Sequence, residues 1–551
     1  MKYTGMGVGL GVAAGPVKRM AHTVPEPTGG PSTLPKDVEI ERAKRALDAV
    51  AAELEHRAQR SEGAAAEVLS AQVMMVQDPD VWDEIEASIE ERKSAEWAAH
   101  SAFESMAGIL KSLGGTQAER AVDLIDIGWR TVATLMGVPY GVIPVSDEPF
   151  VLVADDLSPA DTAVLDLTQV AALVTSGGSP TAHTAILARA RGLVAVVSAS
   201  GVLDIPDDTI VIVDAAAGTV DSEPSAEQVE QVKSQRTESA DDAPASPGRT
   251  SDGTAIPLLA NVGSVADAKE ALAKGAEGVG LLRTEFLFLG ASEQPSVETQ
   301  STEYTEIVAA LGGQKVTART LDAGADKPLP FLNLGHEENP ALGVRGIRTG
   351  IKDESLLKNQ LEALVQTQNA GVGELWVMAP MIADAAEAEW FVKHARAAGL
   401  NKVGVMIEVP SCALVAEDVY KVVDFVSIGT NDLTQYTMAA DRQNGAVAGY
   451  QDAWHPAVLR LIGMVGAAAT RAKKPLSVCG EAASDPLLAL VLVGLGVTSL
   501  SMTPNALRDV RSTLARYSID EVRELANLAV AAGTAAGARE AVRAGLPRPP
   551  R

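Results

Sequence analysis

Several arginines in the second half of the 551-residue chain have the placement expected of an anion site. Arg283 and Arg319 each follow a short hydrophobic run directly, and threonine follows each of them in the segments RTEF and RTLD. Arg345 and Arg442 lie further along the chain. Arginine stays charged and binds phosphate or carboxylate through two parallel hydrogen bonds. Any one of these residues alone is better explained as a surface arginine, but the repeated placement after a strand favours an anionic ligand.

Carboxylates and a thiol follow other apolar runs of the same region. Glu408 and Asp432, which Asn431 precedes, come after two consecutive runs. Two carboxylates with the phosphate oxygens of a ligand are a common magnesium arrangement, although a carboxylate paired with an arginine is the simpler alternative. Cys479 follows a later run and is a candidate acid or base. It is otherwise a buried core cysteine, which is what we expect of Cys412.

A histidine in the first half of the chain lies where a phosphate could be carried. His183 belongs to the segment TSGGSPTAHTAILARARG, which joins a strand to a helix at 184–191, with Thr181 as a plausible helix cap. A helix N-terminus offers free amides and a positive end to an anion. A lone histidine is more often a capping or core residue. The Gly-Gly pair, the flanking threonines and the anion site downstream favour the phosphate carrier.

The elements that must position the downstream residues alternate between strands and helices. Residues 253–551 contain eight strand-like runs separated by helical stretches: IPLLAN, GVGLLRT, KVTARTL, ELWVMAP, VGVMIEV, FVSIGT, PLSVCG and TSLSMT. This alternation predicts a TIM (β/α)8 barrel, in which functional groups lie at the carboxyl ends of the strands. A doubly wound open sheet is the alternative.

The first half of the chain predicts a small α/β domain with a helical insertion. Residues 1–21 suggest a strand with a Gly-rich turn, and 146–221 contains four short apolar runs and one helix. Between them, 22–145 has helical periodicity, with breaks at Asp78-Pro79 and Gly114-Gly115, and predicts a helical subdomain. The polar segment 222–252 predicts a linker whose first half could be helical.

Composition excludes several classes of protein. The net charge of -26 gives no basic footprint, so no nucleic-acid partner is expected. Two cysteines cannot build a disulfide framework, which indicates a reducing, cytoplasmic setting. The start of the chain lacks the pattern of a signal peptide. The longest apolar stretch, 487–497, is too short to span a bilayer and predicts a core helix, so no membrane insertion is expected.

Taken together, the motifs resemble those of enzyme I of the bacterial phosphotransferase system, the phosphoenolpyruvate-protein phosphotransferases. The resemblance covers nearly the whole chain. It is carried, in order, by PTAHTAILAR, EGVGLLRTEFLF, ARTLDAGADKPLP, EENPALGVRGIR, GVMIEVP, DFVSIGTNDLTQYT and VCGE.

The resemblance implies a role for the phosphate-handling residues. His183 matches the histidine that is phosphorylated on its Nε2, so the small α/β domain is implied to be a phosphohistidine domain. Arg283 and Arg319 match the arginines that hold the phosphoryl group, and Arg345 is expected to assist there. Because His183 belongs to a different domain from the barrel, the linker is expected to let it swing between the barrel and a carrier protein.

The resemblance also implies the rest of the site and its partners. Asn431, Asp432 and Arg442 match the phosphoenolpyruvate pocket, Glu408 and Asp432 match the Mg²⁺ ligands, and Cys479 matches the acid that protonates the pyruvate enolate. The helical insertion matches the docking surface for HPr, the small phosphocarrier protein, and the barrel matches the part through which the family forms homodimers. Five acidic residues of the insertion are candidates for that surface or are simply a solvated helix face: Glu67, Asp78, Asp80, Asp83 and Glu84.

Two departures from the family pattern and two alternatives remain. Ser179-Pro180 and Ala182 change the loop before His183, and 482–484 differs from the common pattern after Cys479. A pyruvate phosphate dikinase or phosphoenolpyruvate synthase shares the histidine domain and the barrel, but it needs a large ATP-grasp domain for which 22–145 is too short and too helical. A non-catalytic regulator would have lost site residues, and every expected one is present.

Overall fold

The architecture was analysed in a computed structural model of the chain. It forms two compact units, residues 1–241 and 242–551, which are described separately. The structure describes these residues: 1–8, 11–20, 24–59, 64–113, 115–144, 146, 148–158, 161, 165, 169–177, 188, 193–215, 217–238, 246–288, 291, 293–324, 329, 331–332, 335, 337–442 and 445–546.

The first unit contains an eight-stranded sheet. Its strands are β1 (Lys2–Thr4), β2 (Met6–Val8), β3 (Val12–Arg19), β4 (Phe150–Ala154), β5 (Val170–Thr175), β6 (Val194–Val197), β7 (Ile210–Asp214) and β8 (Thr219–Asp221). The order is β1-β8-β7-β3-β4-β5-β6-β2, with β3 to β6 parallel and the other pairs antiparallel. The four apolar runs predicted as strands are confirmed. The opening segment differs from the prediction, because it forms three strands rather than one.

The parallel centre of this sheet is covered on both faces. All five residues of β4 are buried, and they alternate between two apolar clusters. Phe150 and Leu152 pack into one cluster, whereas Val151 and Val153 pack into the other. Continuous apolar runs are what a sheet buried on both faces requires, which explains why β4 and β5 lack the polar alternation of a one-sided strand.

Five helices lie between β3 and β4 in the chain. They are α1 (Lys36–Gln59), α2 (Ala64–Val76), α3 (Pro79–Glu90), α4 (Ala95–Leu113) and α5 (Gly115–Met136). The buried face of α1 carries Ala43, Leu47, Val50 and Leu54 at helical spacing. Asp78 begins α3, where its side chain accepts a hydrogen bond from the backbone N–H of Asp80 at 2.9 Å. Both predicted breaks therefore separate helices.

Buried ion pairs join these helices to the α/β part of the first unit. The Arg130 guanidinium of α5 donates to Asp126 at 2.9 Å and to Asp161 at 2.6 Å. Arg57 of α1 donates to the same Asp161 at 3.3 Å. A buried aspartate needs such partners, because an unpaired charge away from water is costly. After β8, α6 (Ala226–Glu238) occupies the first half of the segment predicted as a linker.

The second unit is a closed barrel of eight parallel strands, as predicted. They are β9 (Leu258–Val262), β10 (Val279–Arg283), β11 (Lys315–Arg319), β12 (Glu374–Ala379), β13 (Val403–Ile407), β14 (Phe425–Ile428), β15 (Leu476–Val478) and β16 (Ser499–Met502). Each strand pairs with its successor, and β16 pairs with β9 through Leu500 and Leu258. Every strand coincides with one of the eight predicted runs, so the open-sheet alternative is excluded.

Helices surround this barrel. They are α7 (Val265–Ala273), α8 (Val297–Ala310), α9 (Ile347–Lys352), α10 (Glu354–Asn369), α11 (Ala385–Ala398), α12 (Pro410–Leu414), α13 (Ala416–Val422), α14 (Thr430–Met438), α15 (Pro456–Ala472), α16 (Pro486–Gly494), α17 (Leu507–Leu514), α18 (Ile519–Ala531) and α19 (Ala535–Gly545). The predicted core helix corresponds to α16, whose residues 488–493 are all buried. In the part of the chain that the structure describes, no helix is both long enough and apolar enough to span a membrane.

Candidate functional site

The carboxyl ends of the barrel strands bring most of the predicted site residues to one end of the barrel. Arg283 and Arg319 are the last residues of β10 and β11 and pair directly in the sheet register. Glu408 and Cys479 immediately follow β13 and β15. Asn431 and Asp432 lie in the first turn of α14, which follows β14.

Arg283 and Arg319 occupy different environments although they are neighbours. Arg283 is exposed, yet the protein atoms crowded around its guanidinium and the cation of Arg319 lower its pKa. Arg319 is buried and forms ion pairs with Glu285 and, at 3.4 Å, with Asp322. Its Nε has no hydrogen-bond partner among the described residues. Arg283 is therefore the arginine that is accessible to an anion. Arg319 is held by its ion pairs with Glu285 and Asp322, and its Nε–H remains an unused donor among the described residues.

Two acidic residues of this region were not among the predicted site residues. Glu285 follows β10, and its Oε1 accepts hydrogen bonds from Arg319 Nη2 and from the backbone N–H of Asp322 at 3.3 Å. Asp322 follows β11 and binds both Arg319 and Arg345. The available signal was the motif itself, because an acid stands two or three residues after each arginine in RTEF and RTLD.

Arg345 connects two sides of the site. It is 2% exposed, and its guanidinium donates to Asp322 Oδ1 and Oδ2, each at 3.2 Å, to Asp432 Oδ1 at 2.8 Å and to the Tyr436 hydroxyl at 3.2 Å. These carboxylates raise the pKa of Arg345 despite its burial, so that it stays charged. Arg442, which is half-buried, lies 3.7 Å from Asp432 Oδ2. Asp432 is thus shared by two arginines.

Glu408 is a buried carboxylate that faces other carboxylates. It is 1% exposed, and its Oε1 accepts the backbone N–H of Met381 at 2.7 Å. Met381 presents this amide from a left-handed backbone conformation, φ 58°, which is uncommon for a residue with a side chain. Burial, together with the charges of Asp432 and Asp322, raises the pKa of Glu408 to about 8. A positive ion at this point would relieve that repulsion.

The helix N-terminus that carries Asn431 is packed tightly against the loop after β15. Asn431 Oδ1 accepts a hydrogen bond from the backbone N–H of Glu481 at 3.0 Å. A β-carbon at Gly480 would lie 1.9 Å from Thr430 Oγ1, so only glycine allows this approach. The first amides of α14 therefore lie beside the Cys479 loop, at the strand ends where an anion would be attracted to the positive end of the helix.

Cys479 is a protonated thiol at the end of the barrel interior. It is 3% exposed, packs with Met406 and Phe425, and its Sγ lies 3.6 Å from the carbonyl oxygen of Ile428. Burial raises its pKa to about 11, although the charge of Arg319 acts in the opposite direction. Cys412 is also buried, as predicted, and its pKa is raised to about 12. Burial therefore does not distinguish the two thiols, but their positions differ, because Cys479 directly follows β15 whereas Cys412 lies in α12.

The described residues contain no group of three or more histidine, cysteine, aspartate or glutamate side chains arranged to hold a metal ion. Glu408 and Asp432 are the pair that the sequence indicated, and the charge of Asp432 is one cause of the raised pKa of Glu408, after burial. Two protein carboxylates suit Mg²⁺, which usually retains water and takes further oxygen ligands from a substrate phosphate. The residues present fit a magnesium ion that is completed by a ligand.

His183 lies outside the described residues, as do its neighbours Ser179, Pro180 and Ala182 and, apart from Ala188, the helix predicted at 184–191. The structure describes the strand that leads to it. The carbonyl oxygen of Gly177, after β5, accepts hydrogen bonds from the Thr175 hydroxyl at 2.8 Å and the Ser198 backbone N–H at 3.0 Å. The strand end that precedes the histidine in the chain is therefore well bonded.

Comparisons with known proteins agree on one family along the whole chain. Three family models match: the N-terminal domain of PEP-utilising enzymes at residues 4–120, their mobile domain at 146–218 and their PEP-binding domain at 237–519. A phosphoenolpyruvate-protein phosphotransferase of Streptomyces coelicolor is 48% identical over 98% of both chains. One from Geobacillus stearothermophilus is 36% identical over 90% of this chain and 89% of its own. A multiphosphoryl transfer protein of Xanthomonas campestris is 38% identical over 96% of this chain and 65% of its own.

Proposed function

Because the chain belongs to the phosphoenolpyruvate-protein phosphotransferase family, we propose that it transfers the phosphoryl group of phosphoenolpyruvate to its own His183 and then to HPr. Pyruvate is the other product, and the reaction is the first step of a sugar phosphotransferase system. The observation that carries this proposal is the cluster of arginines and carboxylates at the carboxyl end of the barrel. Phosphoryl transfer depends mainly on positioning and charge neutralisation, which such a cluster supplies.

Different arginines bind different parts of phosphoenolpyruvate. Arg283 is exposed and lies beside Arg319, so the two present adjacent cations to the phosphoryl group. Arg345 assists from the other side through its contacts with Asp322 and Asp432. The carboxylate of phosphoenolpyruvate is bound by the N-terminus of α14, with Asn431, and by the half-buried Arg442. Bidentate arginine contacts fix orientation as well as charge, which in-line transfer requires.

Glu408 and Asp432 hold Mg²⁺ together with the bound phosphate. The buried Glu408 faces Asp432, and burial together with the charges of Asp432 and Asp322 raises the pKa of Glu408 to about 8. A magnesium ion would supply charge neutralisation at the phosphoryl oxygens when it is bound. Arg345 contacts Asp432 at 2.8 Å and so orients that carboxylate.

Cys479 provides the proton that completes pyruvate. In the transfer the bond between phosphorus and the enol oxygen breaks, and a bond between phosphorus and the His183 nitrogen forms. The electron pair left on the enolate takes a proton at carbon from the Cys479 thiol, and water restores that proton. With its pKa raised to about 11, the thiol remains protonated at neutral pH and can act as the acid.

The helical subdomain binds the carrier, and the barrel forms the homodimer. Asp80 and Asp83 are exposed near the start of α3, and the neighbouring Met74 of α2 is 68% exposed, a combination that suits a basic partner with an apolar centre. On the second unit, Leu414 and Tyr450 are 60% and 57% exposed and are candidates for the dimer contact. We propose that the protein works in the cytoplasm and that the linker allows His183 to alternate between barrel and carrier.

The decisive experiment is incubation of the full chain with phosphoenolpyruvate labelled on phosphorus, with Mg²⁺ present. The wild type and a control variant, His56→Ala on the exposed surface of α1, should both become labelled and release pyruvate. His183→Ala should remain unlabelled. Addition of HPr should then move the label from the wild type to the carrier. An unlabelled wild type, or label retained by His183→Ala, would overturn the proposal.

A further inference from the structure

Two buried carboxylates form ion pairs with the buried arginines of the barrel site. The side chains of Glu285 and Asp322 are 5% and 1% exposed, and each contacts a buried arginine. Glu285 binds Arg319 and also the backbone N–H of Asp322, whereas Asp322 binds both Arg319 and Arg345. The four side chains form one continuous chain of ion pairs, which we call the carboxylate clamp.

The clamp also joins the ends of two adjacent strands. Thr284, between Arg283 and Glu285, donates its hydroxyl to the carbonyl oxygen of Arg319 at 2.9 Å, and Gln360 Nε2 donates to that hydroxyl at 3.1 Å. The end of β10 is thus bonded to the end of β11 through both backbone and side chains. Arg283 is the exposed residue of this segment. Thr284 and Glu285, which follow it, fix the position of Arg319, while the side chain of Arg283 remains accessible to a ligand.

Orientation matters here because each arginine has more donors than the clamp uses. Arg319 Nε lacks a partner among the described residues, and so does Glu285 Oε2. A buried cation with unused donors retains hydrogen-bonding capacity for a ligand only while its plane is fixed. The ion pairs of Arg319 with Glu285 and Asp322 supply that constraint.

We infer that Glu285 and Asp322 are positioning residues that hold Arg319 and Arg345 in the orientation required by the transferring phosphoryl group. This inference rests on the proposed function, since it assigns the clamp to the same site. The two carboxylates of the clamp do not touch the substrate, and their contribution is realised when charge spreads over the phosphoryl oxygens in the transition state. Partners that orient the groups touching a ligand commonly contribute about 10- to 100-fold to activity.

The test compares two glutamates of the barrel that undergo the same chemical change. Glu285→Gln removes the negative charge that forms an ion pair with Arg319. The control Glu277→Gln alters a residue before β10, at the other end of the barrel, whose carboxylate accepts the backbone N–H groups of Gly248 at 2.7 Å and Leu258 at 3.1 Å. Single-turnover labelling of His183 over a range of phosphoenolpyruvate concentrations, without HPr, gives a maximal rate and a half-saturating concentration, which take the place of kcat and KM.

We expect Glu285→Gln to lower kcat by about 10- to 100-fold while KM changes by less than about threefold, and Glu277→Gln to retain the wild-type rate. A purely structural role would lower the melting temperature of both variants without this division between kcat and KM. In an Arg319→Gln background, Glu285→Gln should have little further effect, because its influence passes through that arginine. Asp322→Asn should behave as Glu285→Gln does.

The outcomes separate the inference from the proposed function. A wild type that becomes labelled, with a Glu285→Gln variant of equal rate, would overturn the clamp and leave the function standing. Additive effects of Glu285→Gln and Arg319→Gln would also overturn it. A wild type that neither binds phosphoenolpyruvate in calorimetry nor becomes labelled would overturn the proposed function, and the clamp with it.

Discussion

Arg345 donates a hydrogen bond to Asp432 Oδ1 at 2.8 Å, and so links the segment before α9 to the first turn of α14. The same guanidinium binds Asp322 after β11. One buried cation thereby connects a proposed metal ligand with Asp322, a proposed positioning residue. The proposed sites for phosphate and for metal share this component, so we expect a change to Arg345 to affect both.

Replacement of Arg345 by glutamine should destabilise the barrel strongly. The change leaves Asp322 and Asp432 without their principal partner in a buried setting, and breaking such a pair costs about 3–5 kcal/mol. Urea unfolding of the second unit measures the effect. The control Arg348→Gln removes a half-exposed arginine 3.6 Å from Glu387 and should cost less than about 1 kcal/mol. Equal losses in the two variants would contradict the role of burial.

Cys479→Ala should slow the release of pyruvate by about 100- to 10,000-fold, the range associated with loss of a general acid. The enolate then has to take its proton from water at carbon. Pyruvate is measured with a coupled dehydrogenase assay, and Cys412→Ala, at a buried position on α12, is the matched control. A Cys479→Ala variant as fast as the control would remove Cys479 from the mechanism.

Both thiols should react slowly with iodoacetamide in the native protein. With the pKa of Cys479 raised to about 11, its thiolate fraction at about pH 8 is two orders of magnitude below that of an ordinary cysteine. Since the folded state holds this proton more tightly than the unfolded state does, stability should fall as pH rises from about 9 to about 11. Mass spectrometry of the alkylated chain measures the rate, and the urea-unfolded chain is the control. Equal rates in the two states would show that neither thiol is protected.

Charge reversal at the start of α3 should impair transfer to the carrier but not to His183. Asp80→Lys with Asp83→Lys is expected to slow HPr phosphorylation about tenfold at low salt and less at higher ionic strength. Asp78 is left unchanged because it caps α3. The control Asp520→Lys with Glu524→Lys makes the same charge change near the start of α18, where Asp520 is 85% exposed. If both pairs slow transfer equally, net charge rather than a docking surface is responsible.

The barrel could be predicted from the sequence because each strand is a separate apolar run, and the ends of those runs predicted that Arg283, Arg319, Glu408 and Cys479 lie at the strand ends. Glu285 and Asp322 were missed for a physical reason. Their importance depends on contacts with Arg319 and Arg345, and strand pairing determines which of the many acids in the chain meets an arginine. The pairing of β10 with β11 supplies that information.

The opening segment was predicted less well. Residues 1–21 were expected to form one strand, but β1 and β2 form the two opposite edges of the sheet and β3 lies near its centre. Gly5 separates the first two strands, and a β-carbon there would lie 2.5 Å from the carbonyl oxygen of Val197. A close approach of this kind depends on which strand lies alongside, and no local pattern of residues records it.

The strands on either side of the helical segment are neighbours: Val17 of β3 pairs with Val151 of β4 in parallel. A parallel pair always needs a crossover of a dozen or more residues, and here α1 to α5 form that crossover. The whole proposed carrier-recognition module therefore occupies a single connection of the sheet. A change in the length or surface of this connection can leave the strand order intact, so the proposed recognition module and the sheet are topologically separable.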